Sequence, residues 1–285
     1  MDEERYPALP WQGWKIVKRL GRGGFGTVYQ AQRNSAGVME DAAIKVISFP
    51  RNKEDIEADI TDGYDLVSVR NKYKDMLHRY VDEYQIMLAF KGQTNIVSCD
   101  DFEAKPHEDG IGWDVFIRME LLTPLTTLIK QYAGSIPEEM VIKVGKDICS
   151  ALMLCDSKNI VHRDIKPENI LILGNRLVLS DFGLYWGIEE ERLTEFNERI
   201  GPYKIMPPEL ENVQTDLDLD FRPSDVYLFA KVLWMTLKGD NIGFRGQYQR
   251  GDVQIFLNKE NFGDVITLEP IHKLIEQATF EDMNK

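Results

Sequence analysis

The sequence predicts an α+β protein, with a small β-rich first part, a larger α-rich second part and a junction near Leu121–Pro124. Three observations carry this. Short β-rich runs broken by glycines or polar turns dominate the first part. Helix-period apolar patterns take over after Thr123-Pro124. Hydrophobic residues make up 43% of 285, enough apolar side chain for a real core. Disorder, collagen-like repetition and a disulfide scaffold are thereby excluded, and neither an internal repeat nor a low-complexity tract is present.

In chain order, WKIVKRL (14–20), TVYQAQ (27–32) and DAAIKVI (41–47) predict three strands. An acidic stretch at 51–65 precedes a helical pattern running to about residue 91, in which Tyr73, Leu77, Tyr80, Tyr84, Met87 and Leu88 recur at three- and four-residue spacing. Two more strands are predicted at IVSCDDFE (96–103) and WDVFIRMEL (113–121), around a polar loop at Pro106 and Gly110. Ser135-Ile136-Pro137-Glu138 reads as a capping-box helix start. The helix beyond it buries Met140, Val144, Ile148, Leu152 and Cys155. A further helix begins near Ser224-Asp225, carries Val226, Phe229, Ala230, Leu233 and Leu237, and ends by Gly239.

The formal net charge is -13, and it is localised. Residues 51–65, 100–109, 181–209 and 211–225 each net -4, so the rest of the chain nets +3. Such acidity argues against a nucleic-acid binder, which needs clustered positive charge. The acidic runs read either as solvated faces, the commoner role, or as recognition of basic substrate peptides. Cys99, Cys149 and Cys155 form no even framework. The last two sit among apolar residues and read as buried thiols, with reduced cytosol as the natural compartment. The N-terminus lacks the apolar run of a secretory signal, and no stretch reaches the length needed to span a bilayer.

Gly21-Arg22-Gly23-Gly24-Phe25-Gly26-Thr27-Val28 lies between two predicted strands. Glycines there let backbone N–H groups approach phosphates, and the strand that follows argues against a dinucleotide loop, which would open a helix. Lys45, among Ala43, Ile44 and Val46, points to an inward amine that needs an anion, and Glu83 is the best carboxylate candidate. His162-Arg163-Asp164-Ile165-Lys166-Pro167-Glu168-Asn169 is the decisive segment. Asp164 can take a proton from a hydroxyl nucleophile, and Lys166 can stabilise charge on a transferred phosphoryl group. Asn169 can give an oxygen to a metal, and Asp181-Phe182-Gly183 offers a second metal ligand. The intervening ILILGNRLVLS reads as a hairpin that would bring the two metal ligands together.

These motifs resemble the eukaryotic-type (Hanks-type) protein kinases over about residues 14–280. The resemblance implies a bilobal fold, with an N-terminal lobe at 1–122 holding an insertion at about 48–70, and a C-terminal lobe at 123–285 that stops short of the family's last helix. It implies that Gly21, Gly23, Gly24, Gly26 and Val28 form the glycine-rich loop, and that Lys45 pairs with Glu83. It also implies Asp164 as catalytic base, Lys166 beside it, and Asn169 and Asp181 as ligands of Mg²⁺, with Mn²⁺ as substitute. Met119 resembles the gatekeeper, Glu120 and Leu122 the hinge, and Val28, Ala43 and Leu171 the apolar sandwich around the adenine of ATP. Pro207-Pro208-Glu209 stands where the family has Ala-Pro-Glu, and Asp225 resembles its structural aspartate.

Lys166, two residues after the base, resembles Ser/Thr rather than Tyr kinases. The implied activity is cytoplasmic Mg-ATP-dependent transfer to protein Ser/Thr hydroxyls, with oligomeric state open. Two further departures stand out, beside the missing last helix. Lys45 and Glu83 are 38 residues apart, more than is usual, so control of the second helix could reside in the acidic insertion. Gly201-Pro202-Tyr203 replaces the usual Gly-Thr, removing a hydroxyl that braces Asp164 and Lys166. Arg163 before the base suits activation by phosphate on Thr194, with Tyr185 and Tyr203 behind it, yet the neighbouring acids could pair Arg163 unaided. Two alternatives stay open: a pseudokinase-like nucleotide-binding scaffold, and a small-molecule kinase.

Overall fold

The computed structural model describes residues 6–23, 26–133, 136–182, 204–208, 221–258 and 268–280. The chain divides into two compact units, residues 1–93 with 97–121, and residues 94–96 with 122–285. The α+β class is as predicted.

In the first unit, β1 (Lys15–Gly23), β2 (Gly26–Ser35), β3 (Val38–Phe49), β4 (Cys99–Pro106) and β5 (Trp113–Met119) form an antiparallel sheet in the order β1-β2-β3-β5-β4. All five predicted strands are present. Val28 lies opposite Lys45, Ala43 opposite Met119 and Lys45 opposite Ile117. Directly opposed residues share a face, so one face carries Val28, Ala43, Lys45, Ile117 and Met119. The other face buries Ala31, Ala42 and Ile44 under Trp14, with Leu9, Trp11 and Val46 packed against them. The Arg118 guanidinium lies 5.1 Å from the Trp11 ring and 5.2 Å from the Trp14 ring, so its charge is covered by π faces.

The acidic stretch contains a helix that its charge pattern did not announce, α1 (Lys53–Thr61). Asn52 Oδ1 caps it by accepting from the Asp55 N–H at 2.9 Å. Asp65 caps α2 (Leu66–Ala89) in the same way, accepting from Ser68 at 2.7 Å. The predicted apolar face of α2 is largely as expected: Tyr73 and Met87 are buried, and Leu77, Tyr80 and Tyr84 half-buried. Leu88 is the correction, being exposed, because it lies one position past the buried stripe at Met87. The Tyr80 ring stacks on Phe49 at 5.2 Å and the Tyr84 ring on Phe102 at 4.7 Å.

In the second unit, β6 (Thr123–Pro124), β7 (Ile170–Leu173) and β8 (Arg176–Leu179) make a three-stranded sheet, β7 and β8 being the predicted hairpin. Around it are α3 (Leu125–Tyr132), α4 (Glu138–Ser157), α5 (Arg222–Lys238) and α6 (Leu268–Ala278). The N-cap of α4 is Pro137, which makes no side-chain cap bond, and Ser135 lies outside the described residues. Val144, Ile148 and Cys155 are buried as predicted, and Met140 and Leu152 half-buried. Cys149 is exposed, against expectation, since it sits about 100° round the helix from Ile148.

α5 is buried on all sides from Tyr227 to Leu237, as a central core helix must be. Before Tyr227 the helix still reaches the surface, so Val226 is exposed rather than packed as predicted. Gly239 ends it in the left-handed conformation, φ 72°. Lys231 is fully buried. Its ammonium donates to the Phe244 carbonyl at 3.1 Å and to that of Gly246, and lies 3.4 Å from the centre of the Phe244 ring.

Candidate active site

The segment 162–182 builds a polar cluster inside the second unit, and each part is fixed by a backbone feature. The Asp225 carboxylate, at the start of α5, accepts from His162 N and Arg163 N, both at 2.7 Å. Arg163 can thereby hold φ +63°, a conformation that bulky residues rarely adopt. The turn sends Asp164 inward, where it is 6% exposed. Oδ2 of Asp164 takes two donors, Lys166 Nζ at 2.6 Å and Asn169 Nδ2 at 2.8 Å. Oδ1 accepts no hydrogen bond among the described residues.

Asn169 ends a single 3₁₀ turn, Pro167–Asn169, and Nδ2 also donates to the Asp164 carbonyl at 2.9 Å. Its nitrogen is thus committed, and its side-chain oxygen accepts no hydrogen bond among the described residues. The Asn169 carbonyl accepts from Ser180 N and Ser180 Oγ, both at 2.9 Å, tying the turn to the end of β8. Asp181 follows with φ +65°. Its carboxylate is near enough to Asp164 and His162 to raise both electrostatically.

His162 is 1% exposed. Nε2 lies 3.0 Å from the Ser180 carbonyl, and Nδ1 accepts from Asp164 N at 3.3 Å. Those partners require a neutral ring with its proton on Nε2. Burial agrees, pushing its pKa down. Burial pushes the Asp164 carboxyl above the ordinary aspartate range, while Lys166 and Asn169 hold it back. Burial likewise raises Asp225, opposed by the His162 and Arg163 N–H donors.

In the first unit, Gly21 and Gly23 lie on exposed β1, and Gly26 opens β2 with φ +121°. A Cβ on Gly26 would stand 2.4 Å from the Val46 carbonyl oxygen, so only glycine fits. Lys45 is 6% and Glu83 2% exposed. Phe49 is on the Lys45 face of β3, and Phe102, opposite Ile117, extends that face. Tyr80 and Tyr84, which flank Glu83, stack on these two rings, so α2 packs on the face that carries Lys45. Val28 and Met119 are half-buried and Ala43 buried on that face. Glu120 is exposed, and Leu122 and Leu171 are half-buried.

Three bracing residues escaped sequence reasoning. Asn95 Nδ2 donates to the Leu177 carbonyl at 3.0 Å, Asp147 Oδ2 accepts from Leu177 N at 2.8 Å, and Ser180 makes the bonds above. Only Asp147 left a signal, as an acid between the buried Val144 and Ile148 on α4. Gly24, Tyr185, Thr194, Pro202, Tyr203 and Glu209 lie outside the described residues.

A family model described as protein kinase domain matches residues 14–259. The chain belongs to that family. Among relatives of this kinase domain, a probable serine/threonine-protein kinase PknB of Lactococcus lactis subsp. lactis is 27% identical over 284 residues, covering 95% of this chain and 39% of its own. Serine/threonine-protein kinase PrkC of Bacillus subtilis is 28% identical over 239 residues, 82% of this chain and 31% of its own. Calcium-dependent protein kinase 7 of Oryza sativa subsp. japonica is 30% identical over 231 residues, 79% and 36%. The kinase domain thus spans less than half the length of these curated relatives. Among its described residues no helix is long and apolar enough to cross a membrane.

Proposed function

We propose that this kinase domain transfers the γ-phosphoryl group of Mg-ATP to Ser or Thr hydroxyls of proteins, with Asp164 as the base. One observation carries the reading: Oδ2 of Asp164 is held by Lys166 and Asn169, leaving Oδ1 open to an incoming hydroxyl. Lys166 would then turn from the carboxylate toward the negative charge developing on the phosphoryl oxygens. Val28, Ala43 and Met119 of the first unit, and Leu171 of the second, would each offer the adenine an apolar contact, and the backbones of Glu120 and Leu122 would offer it hydrogen bonds. Gly21, Gly23, Gly24 and Gly26 would follow the phosphates, and Lys45, paired with Glu83, would hold them. Two buried opposite charges in one unit, on packed surfaces, support that pairing.

The donor set fits Mg²⁺ or Mn²⁺: hard oxygens from Asn169, whose amide nitrogen is already committed, and from the Asp181 carboxylate. When bound, the ion neutralises phosphate charge. Unbridged Cys99, Cys149 and Cys155 fit a cytoplasmic setting.

Incubation with Mg²⁺ and labelled ATP, with and without a basic protein, tests the proposal. Label on Ser or Thr is expected. Nucleotide-dependent thermal stabilisation with no transfer indicates a binding scaffold, and transfer to small-molecule acceptors alone overturns protein specificity.

The acid limb of kcat/KM is expected above the ordinary aspartate range, because burial raises Asp164 and the base works only when deprotonated. Lys166 opposes that rise, so Lys166→Met should move the limb to higher pH as well as lower kcat. A pH–rate profile of both proteins checks it, and an unmoved limb rules out Asp164 as the titrating group.

A further inference from the structure

α1 is an unusual helix, because the one residue it buries is an aspartate. Asp59 is 8% exposed, while Ile60 beside it is 46% exposed. Helices of soluble proteins are ordinarily held by an apolar stripe, and in α1 Ile56 alone of the apolar side chains is even half-buried. Its most buried contacts are polar ones to α2. Lys72 Nζ lies 2.5 Å from Asp59 Oδ1, and the Tyr73 hydroxyl donates to Oδ2 at 3.2 Å. Both carboxylate oxygens are used, and both partners sit in the first half of α2. Burial, then the Asp59 charge, raises the Tyr73 pKa, so the phenol stays a donor.

Tyr73, Tyr80 and Met87 follow one another at seven-residue spacing along the inner side of α2, with Glu83 between the last two. The stacks of Tyr80 and Tyr84 hold that helix against the sheet, but flat ring contacts tolerate sliding and rotation better than two directed hydrogen bonds do. α1 begins four residues after β3 ends, and Arg51 N donates to Asp55 Oδ2 at 2.8 Å in that link, so the chain tethers α1 to the sheet and a pin at Tyr73 and Lys72 limits that freedom at the other end.

We propose that Asp59 is a positioning residue for phosphoryl transfer: through Lys72 and Tyr73 it fixes the rotation and axial setting of α2, and so keeps Glu83 facing Lys45. The proposal rests on the kinase reading above and assigns the 51–65 insertion a part in it. Asp59 touches neither nucleotide nor acceptor.

The test uses the full chain, Asp59→Asn, and the reversed pair Asp59→Lys with Lys72→Asp. Steady-state kinetics are combined with hydrogen exchange of the nucleotide-free proteins. Asp59→Asn is expected to lower kcat about tenfold with KM for ATP little changed, a coupling of the size carried by packed elements. Exchange should quicken across residues 80–87. The reversed pair should restore both, since the ammonium placed on α1 can still meet the carboxylate placed on α2 and the Tyr73 oxygen. Unchanged kcat and exchange in Asp59→Asn overturn the proposal. So does a lowered Tm with kcat per folded molecule intact, which marks a stability contact only. If the unaltered protein transfers no phosphate, the kinase reading fails by itself. Exchange then decides: faster exchange at 80–87 upholds the pin, and wild-type exchange removes it.

Discussion

Asp164→Asn is expected to lower kcat for phosphoryl transfer by about 10²–10⁴-fold, the range a positioned general base supplies, while the fold and nucleotide binding persist. Asparagine keeps the shape of the side chain, and its oxygen can still accept from Lys166 and Asn169, as Oδ2 does now. It loses the basic lone pair at the open position. Asparagine is also neutral, which suits a site where burial disfavours the charged carboxylate, so Tm should hold or rise. Transfer of labelled phosphate and the MgATP-induced shift in Tm together check this. A variant with undiminished kcat removes Asp164 from the chemistry. One that loses the MgATP shift as well would mean that the substitution damages nucleotide binding.

Asp225→Asn should act by a different route, through the fold. Each oxygen of this carboxylate takes one backbone N–H at 2.7 Å. Asparagine offers one oxygen, so its NH₂ would face a donor and one N–H would be orphaned. An unsatisfied buried polar group costs about 1–3 kcal/mol, equivalent to a fall in Tm of about 2–12 °C for a domain of this size. The strained backbone at Arg163 depends on those bonds, so Asp164 should lose its setting, and kcat should fall even well below Tm. Calorimetry with kinetics at low temperature reads both effects. An unchanged Tm would show that Asp225 contributes little to holding this turn.

The strands and the β7–β8 hairpin were legible because alternation and turn residues are local signals. His162–Asn169 was legible because its chemistry lies within eight consecutive residues. What stayed hidden was set by distant partners. Asn95 meets Leu177 across 82 positions and nothing near it in sequence marks that bond. α1 was missed because hydrophobic periodicity is the usual helix signal, and this helix buries a carboxylate instead. Cys149 and Leu88 were misplaced for one reason: a single step along a helix turns 100°, enough to carry a side chain from core to water.

Lys231 has a consequence for how the second unit responds to ionic strength. Exposed pairs such as Arg222–Asp156 and Arg250–Glu269 weaken as added salt screens them. The Lys231 ammonium has no solvent contact, and main-chain carbonyls and aromatic rings close around it. Mobile ions cannot enter that cage. The chain from Phe244 to Gly246 is therefore fastened to α5 by a charge that behaves, toward salt, like part of the hydrophobic core.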